Sequence, residues 1–136
     1  MFSGSCLCGC INYRISCFEG PFMFCHCSRC RKASGSAYAS NAVVKRANFQ
    51  ICHGAEHLKC YKTPAGISRI FCAECGSPIY SQKDHELDIL RIRLGTLDTP
   101  LEGVIKPQAH IFVASKADWD NICDDLPQFA QFPSKN

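Results

Sequence analysis

Polar and apolar positions alternate with a period of two over much of this chain. In INYRI, Ile11, Tyr13 and Ile15 are apolar while Asn12 and Arg14 are polar, which predicts a strand with one buried face. The same reading applies to the short runs YASNAVV, NFQIC, LKCYK, ISRIF, PIYSQ, LDILRIRL and HIFVA. In LRIRL it turns Leu90, Ile92 and Leu94 inward and sets Arg91 and Arg93 on the opposite face. TPAG, between LKCYK and ISRIF, predicts a hairpin turn, and LGTLDTP ends a strand at Gly95. Helical pattern is scarce: SRCRKAS allows a turn or two, and KADWDNIC, residues 116–123, allows a short helix. The closing LPQFAQFPSKN has two prolines and no regular period, so an irregular, partly frayed end is expected. These runs together predict a mainly β domain of short antiparallel strands with one or two short helices.

A chain of 136 residues that is 46% hydrophobic can bury a core of its own, and no repeat, low-complexity tract or linker divides it. Residues 1–136 are therefore read as one domain. The opening MFSGSCLCGC lacks the basic start and apolar run of a secretory signal, and no later stretch reaches membrane-spanning length. A cytoplasmic address without membrane association is expected. The formal net charge of +3 counts every cysteine as neutral, and Lys and Arg are scattered apart from RCRK. No nucleic-acid surface is predicted from such a pattern.

Cysteine changes this picture, with twelve among the 136 residues. In a reducing cytoplasm thiols stay free, so clustered cysteines read as metal ligands or catalytic groups rather than disulfides. Seven of them form three close groups: Cys6 with Cys8, then Cys25, Cys27 and Cys30, then Cys72 with Cys75. In FCAECGSP two sulfurs at C-x-x-C spacing share a tight loop, and Gly76 tolerates the positive φ such a loop needs. SCLCG is its natural complement. Cys6, Cys8, Cys72 and Cys75 would then close a structural zinc site, whose binding energy of about 10 kcal/mol counts toward folding. Cys25, Cys27 and Cys30 remain as a trio. Three protein ligands with one open position are the arrangement of catalytic zinc, and a thiol entering that position would be acidified.

A second partition stays open, in which Cys72 and Cys75 take two donors from the middle group around a single ion and leave Cys6 and Cys8 as plain thiols. Cys10, Cys17, Cys52, Cys60 and Cys123 are isolated or sit on apolar strand patterns, and read as small buried hydrophobes. His26 lies between Cys25 and Cys27, so its side chain should point away from any metal that both neighbours face. It is assigned a supporting role behind the ligands or a place at the surface. His53, His57, His85 and His110 show no metal-ligand spacing among themselves.

The segments GSCLCG, CHCSRCRKASGSAY, FCAECGSPIY, GTLD and HIFVASKADW, in that order, resemble the glutathione-dependent formaldehyde-activating enzyme family, which is related to centromere protein V-like domains. The match covers about residues 4–119. The resemblance implies a zinc-containing β-tent, a structural zinc on Cys6, Cys8, Cys72 and Cys75, and a second, catalytic zinc on Cys25, Cys27 and Cys30. It also implies a reaction that joins glutathione to formaldehyde as S-hydroxymethylglutathione, formally a carbon–sulfur lyase run in reverse. Under that reading Arg29, Arg31 and Lys32 stand beside the trio, where they can pair with the two carboxylates of glutathione. The fold also serves non-enzymes, so a zinc-stabilised binding module without chemistry is the alternative expectation.

Overall fold

The computed structural model describes residues 1–133. Ten strands follow one another along the chain: β1 (Phe2–Ser5), β2 (Asn12–Ile15), β3 (Phe22–Cys25), β4 (Ala39–Lys45), β5 (Phe49–His53), β6 (Leu58–Lys62), β7 (Ile67–Cys72), β8 (Pro78–Lys83), β9 (Ile89–Arg93) and β10 (Pro107–Ile111). They form a three-stranded sheet in the order β1-β2-β5 and a seven-stranded sheet in the order β10-β3-β4-β9-β8-β7-β6. One α-helix, α1 (Ser28–Ser34), follows β3. No helix among the described residues is long and apolar enough to cross a membrane.

Alternation drives the packing as the sequence requires. On β4 and β9, Ala42 faces Ile92 and Val44 faces Leu90 in register, and all four are fully buried. Ile11, Tyr13, Ile15 and Ile79 join them, together with Cys6 and Cys72, in one cluster. Each large aliphatic side chain so placed contributes about 1.5–3 kcal/mol. The buried Tyr13 hydroxyl is satisfied by Thr96 Oγ1 at 2.7 Å. TPAG closes the β6–β7 hairpin: Thr63 N donates to Ile67 O at 2.9 Å, and Ile67 N donates to Thr63 Oγ1 at 3.1 Å.

The structure departs from the sequence reading in several places, and of HIFVA only His110 and Ile111 lie in a strand. β1 and β3 were not predicted, because FSGS carries one large apolar side chain and FMFC is apolar throughout, so neither alternates. β10 pairs with β3 in parallel, which makes the larger sheet mixed. Residues 116–123 form no helix. Lys116 Nζ donates to Ala117 O at 3.0 Å and also to Asp120 O, occupying carbonyls that a helix would use internally. The C-terminal segment is held along β10 rather than frayed. His110 N donates to Pro127 O and Phe129 N to His110 O, each at 2.9 Å, and Phe129 packs against Cys25, Cys30, Ala39 and Ile111. Residues 134–136 of that segment lie outside the described residues.

Candidate metal centre

Two similar turns build the first thiol cluster. After β1, Gly9 N donates to Cys6 O at 3.0 Å; after β7, Gly76 N donates to Cys72 O at 2.8 Å. Gly9 and Gly76 have φ of 80° and 79°, where a Cβ would be strained. Each turn folds back on its own strand, with Cys6 N donating to Ile11 O at 3.1 Å and Cys72 N to Ser77 O at 2.9 Å. Leu7 N donates to Ser77 Oγ at 2.9 Å and fastens one turn to the other.

The Sγ atoms of Cys6, Cys8, Cys72 and Cys75 consequently lie within 4.8 Å of one another. Tetrahedral zinc with Zn–S near 2.3 Å requires sulfurs about 3.8 Å apart. Cys6 and Cys8 are 3.6 Å apart, and Cys8 and Cys72 are 3.9 Å apart, so this donor set fits the ion. Cys75 is held down to about 5 by hydrogen bonding to the Ser77 side chain and backbone, which favours the thiolate a metal needs. Cys6 and Cys72 are buried at the end of the hydrophobic core, so filling this site couples directly to folding.

Sequence reasoning missed a fifth thiol here. Cys10 Sγ lies 3.2 Å from Cys8 Sγ, 3.5 Å from Cys72 Sγ and 3.9 Å from Cys6 Sγ. Its half-buried position among sulfurs replaces the buried-hydrophobe reading, which fails also for Cys17, Cys60 and Cys123, all exposed, and for the half-buried Cys52. The only signal was its place directly after SCLCG, one residue beyond the glycine.

The second cluster is built by the end of one strand and the start of one helix. Cys25 ends β3, Cys27 caps α1, and Cys30 lies in the first turn of α1. Cys30 N donates to Cys27 Sγ at 3.3 Å. The three sulfurs lie within 4.8 Å of one another and form a group separate from the four. Cys25 and Cys30 share a hydrogen bond that pulls the Cys30 thiol down to about 6 and pushes Cys25 up, with Arg93 and Arg69 adding to the effect on Cys30. Three such donors fit a zinc ion with a position to spare.

His26 points away from the sulfurs, but not to the surface. It is fully buried, and its Nε2 lies 2.8 Å from His110 Nδ1. His110 Nε2 in turn lies 2.9 Å from Asp124 Oδ2. Burial holds His26 below the ordinary histidine value. His110 escaped the sequence reading because 83 residues separate it from His26.

A pocket of about 780 Å³, within the size range of small-molecule sites, is lined not by the trio itself but by Arg29 and Lys32, which flank Cys30 on α1. Arg29, Lys32 and Ala33 of α1 form one side, and Tyr61, Arg69 and Arg93 belong to the strands beneath. Of the three cations named from the sequence, Arg29 and Lys32 line this pocket. Arg31 instead donates from Nε to Ser115 O at 3.1 Å.

The glutathione-dependent formaldehyde-activating enzyme family model matches residues 1–115. The chain belongs to this family. A Halomonas elongata protein, provisionally named a glutathione-dependent formaldehyde-activating enzyme, is 31% identical over 129 residues, covering 90% of this chain and 81% of that protein. An Aspergillus flavus protein with the same provisional name is 27% identical over 110 residues, covering 81% of this chain but 48% of the longer fungal sequence. The chain thus spans about half the length of its fungal relatives. A crystal structure of a Rhodobacter sphaeroides protein superposes with a TM-score of 0.62 at 22% identity, covering 78% of this chain and 99% of that one. At that identity the likeness speaks for the fold alone. The family's β-tent agrees with the mainly β structure and its two clustered thiol groups.

Proposed function

We propose that this family member joins a thiol such as glutathione to formaldehyde or another small carbonyl, a carbon–sulfur bond-forming reaction of the S-(hydroxymethyl)glutathione synthase type. The observation that carries the reading is the trio Cys25, Cys27 and Cys30, its sulfurs within 4.8 Å of one another, with Cys30 on a helix whose Arg29 and Lys32 line a pocket. Cys6, Cys8, Cys72 and Cys75 would hold a structural zinc, and the trio a second one. At the trio, zinc would supply an open coordination position that lowers the pKa of an entering thiol.

The chain's own residues supply binding and orientation. The pocket seats the body of the thiol substrate, and Arg29 and Lys32 offer charge to its carboxylates. Arg31, tied to Ser115 O, supports the helix that carries Cys30. In the reaction the thiolate sulfur attacks the carbonyl carbon, a C–S bond forms as the C=O π bond breaks, and the oxygen takes a proton equivalent to the one lost by the thiol. Nothing is oxidised or reduced. Holding sulfur and carbon together in one orientation is the main contribution asked of the protein. A cytoplasmic setting would keep the seven cluster thiols reduced.

Two measurements on zinc-loaded protein test this. Metal analysis should find about two zinc ions per chain, one of them removed readily by a chelator. Exchange NMR should show S-hydroxymethylglutathione forming faster than in buffer alone, with the gain lost in Cys27→Ser while the fold is kept. An unchanged rate in the variant removes the proposed site.

A further inference from the structure

Building on the proposed reaction at the trio, we infer that Arg69 and Arg93 form an anion-recognition pair, so that the pocket selects a thiol carrying carboxylate over a neutral one. Arg69 on β7 faces Ser81 on β8, which faces Arg91 on β9, in continuous register. Arg93 lies two residues beyond Arg91, so strand alternation brings it to the same face. Tyr61 on β6 is the register partner of Arg69 and extends that face. Tyr61, Arg69 and Arg93 of this row line the pocket, and no Asp or Glu lines it alongside its four cations, Arg29, Lys32, Arg69 and Arg93.

Arg93 is the unusual member. It is 8% exposed, and its Nη1 donates to Arg91 O at 3.1 Å. Among the described residues neither Arg93 nor Arg69 has a carboxylate within ion-pairing distance, whereas Arg91 pairs with Glu86 at 3.2 Å. A buried guanidinium without an anion is costly. Arg93 and Arg69 both line the pocket and are left to meet the charge of the incoming molecule. Arginine suits this role because its planar fork binds carboxylate through two parallel hydrogen bonds.

The test separates recognition from reaction by using S-methylglutathione, whose sulfur is blocked, and its diethyl ester, in which both carboxylates are neutral. Calorimetric titration of the zinc-loaded protein should show the acid binding more tightly than the ester by roughly tenfold to a hundredfold, the effect of a charge-assisted hydrogen bond. Arg69→Met should remove most of that preference by weakening the acid alone, and Arg69→Lys should restore part of it. Circular dichroism and zinc content check that the variants fold. Equal binding of acid and ester, no binding of either, or a preference that survives Arg69→Met would overturn the inference. If S-methylglutathione shows the Arg69-dependent preference yet glutathione and formaldehyde are not turned over, the proposed reaction fails and the recognition pair stands.

Discussion

His26 and His110 share a buried hydrogen bond of 2.8 Å between Nε2 and Nδ1. Asp124 fixes its direction. A carboxylate only accepts, so His110 Nε2, 2.9 Å from Asp124 Oδ2, carries a proton. In neutral His110 the Nδ1 is then an acceptor, His26 Nε2 donates to it, and His26 Nδ1 is left bare. That atom is indeed buried and without a partner. The chain Asp124–His110–His26 therefore sets the tautomer of a residue lying between two candidate zinc ligands.

Acid sensitivity follows from this arrangement. Burial, and then the neighbouring His110, hold His26 below its ordinary value near 6.5. Its stabilising contribution is complete above that value and is lost as pH falls toward the depressed one, because the unfolded chain takes up a proton that folded His26 resists. Asp124, lowered by its hydrogen bond to His110, adds a loss of the same sign only below its ordinary value near 3.8. Urea midpoints measured from pH 7.5 to 5.5 on zinc-saturated protein should fall more steeply for wild type than for His26→Gln. Thiolate protonation affects both proteins alike, so parallel curves would remove His26 as the cause.

Much of the fold was legible because half-buried strands write their burial into alternation. Ala42, Val44, Leu90 and Ile92 needed nothing else. The grouping of seven cysteines was legible from spacing, since sulfurs two or three residues apart can converge from one loop. What stayed hidden depends on distant segments meeting. His110 reaches His26 only because β10 pairs with β3, and Arg69 reaches Arg93 only across β8. Arg93 itself shows the limit of alternation. The pattern set it opposite Ile92, as found, but could not tell that this face carries a pocket and leaves it 8% exposed.

The fifth sulfur near the first cluster predicts unequal costs for ligand removal. Cys72→Ala takes a donor from the core, where its side chain is 1% exposed, and should leave the domain largely unfolded, since several kcal/mol of metal binding is lost. Cys75→Ala should be milder, because Cys10, 3.5 Å from Cys72 and 3.2 Å from Cys8, can supply the fourth sulfur. Cys10→Ala alone should retain the zinc. The double variant lacking Cys10 and Cys75 should then be less stable than the sum of the single changes. Additive melting shifts would show that Cys10 does not take the position.

Removing a donor from the trio should have a different outcome. Cys30 packs in the smaller cluster with Cys25, Ala39 and Ile111, away from the main core. Cys30→Ala should therefore remain folded, at a cost of about 1 kcal/mol for the lost packing. Zinc per chain should fall by one, and any acceleration of thiol addition should disappear. A variant that unfolds instead would show that the trio, rather than the four-thiol cluster, secures the fold.

The arginine pair should be visible in thiol chemistry even when the trio holds no metal. In protein that keeps the zinc of the four-thiol cluster but has lost the readily chelated one, Cys30 is held down to about 6, chiefly by its hydrogen bond with Cys25, with Arg93 and Arg69 adding positive charge. Thiolate is the reactive form, so Cys30 should react with iodoacetamide well below the pH at which an ordinary thiol does. Arg93→Met and Arg69→Met should each move the midpoint upward. Peptide mapping by mass spectrometry isolates Cys30 from the exposed Cys17, Cys60 and Cys123, which would otherwise contribute to the signal. The Cys25 bond persists in both variants, so the midpoint should rise without reaching the ordinary thiol range. A midpoint unmoved in both would mean that neither guanidinium faces the trio.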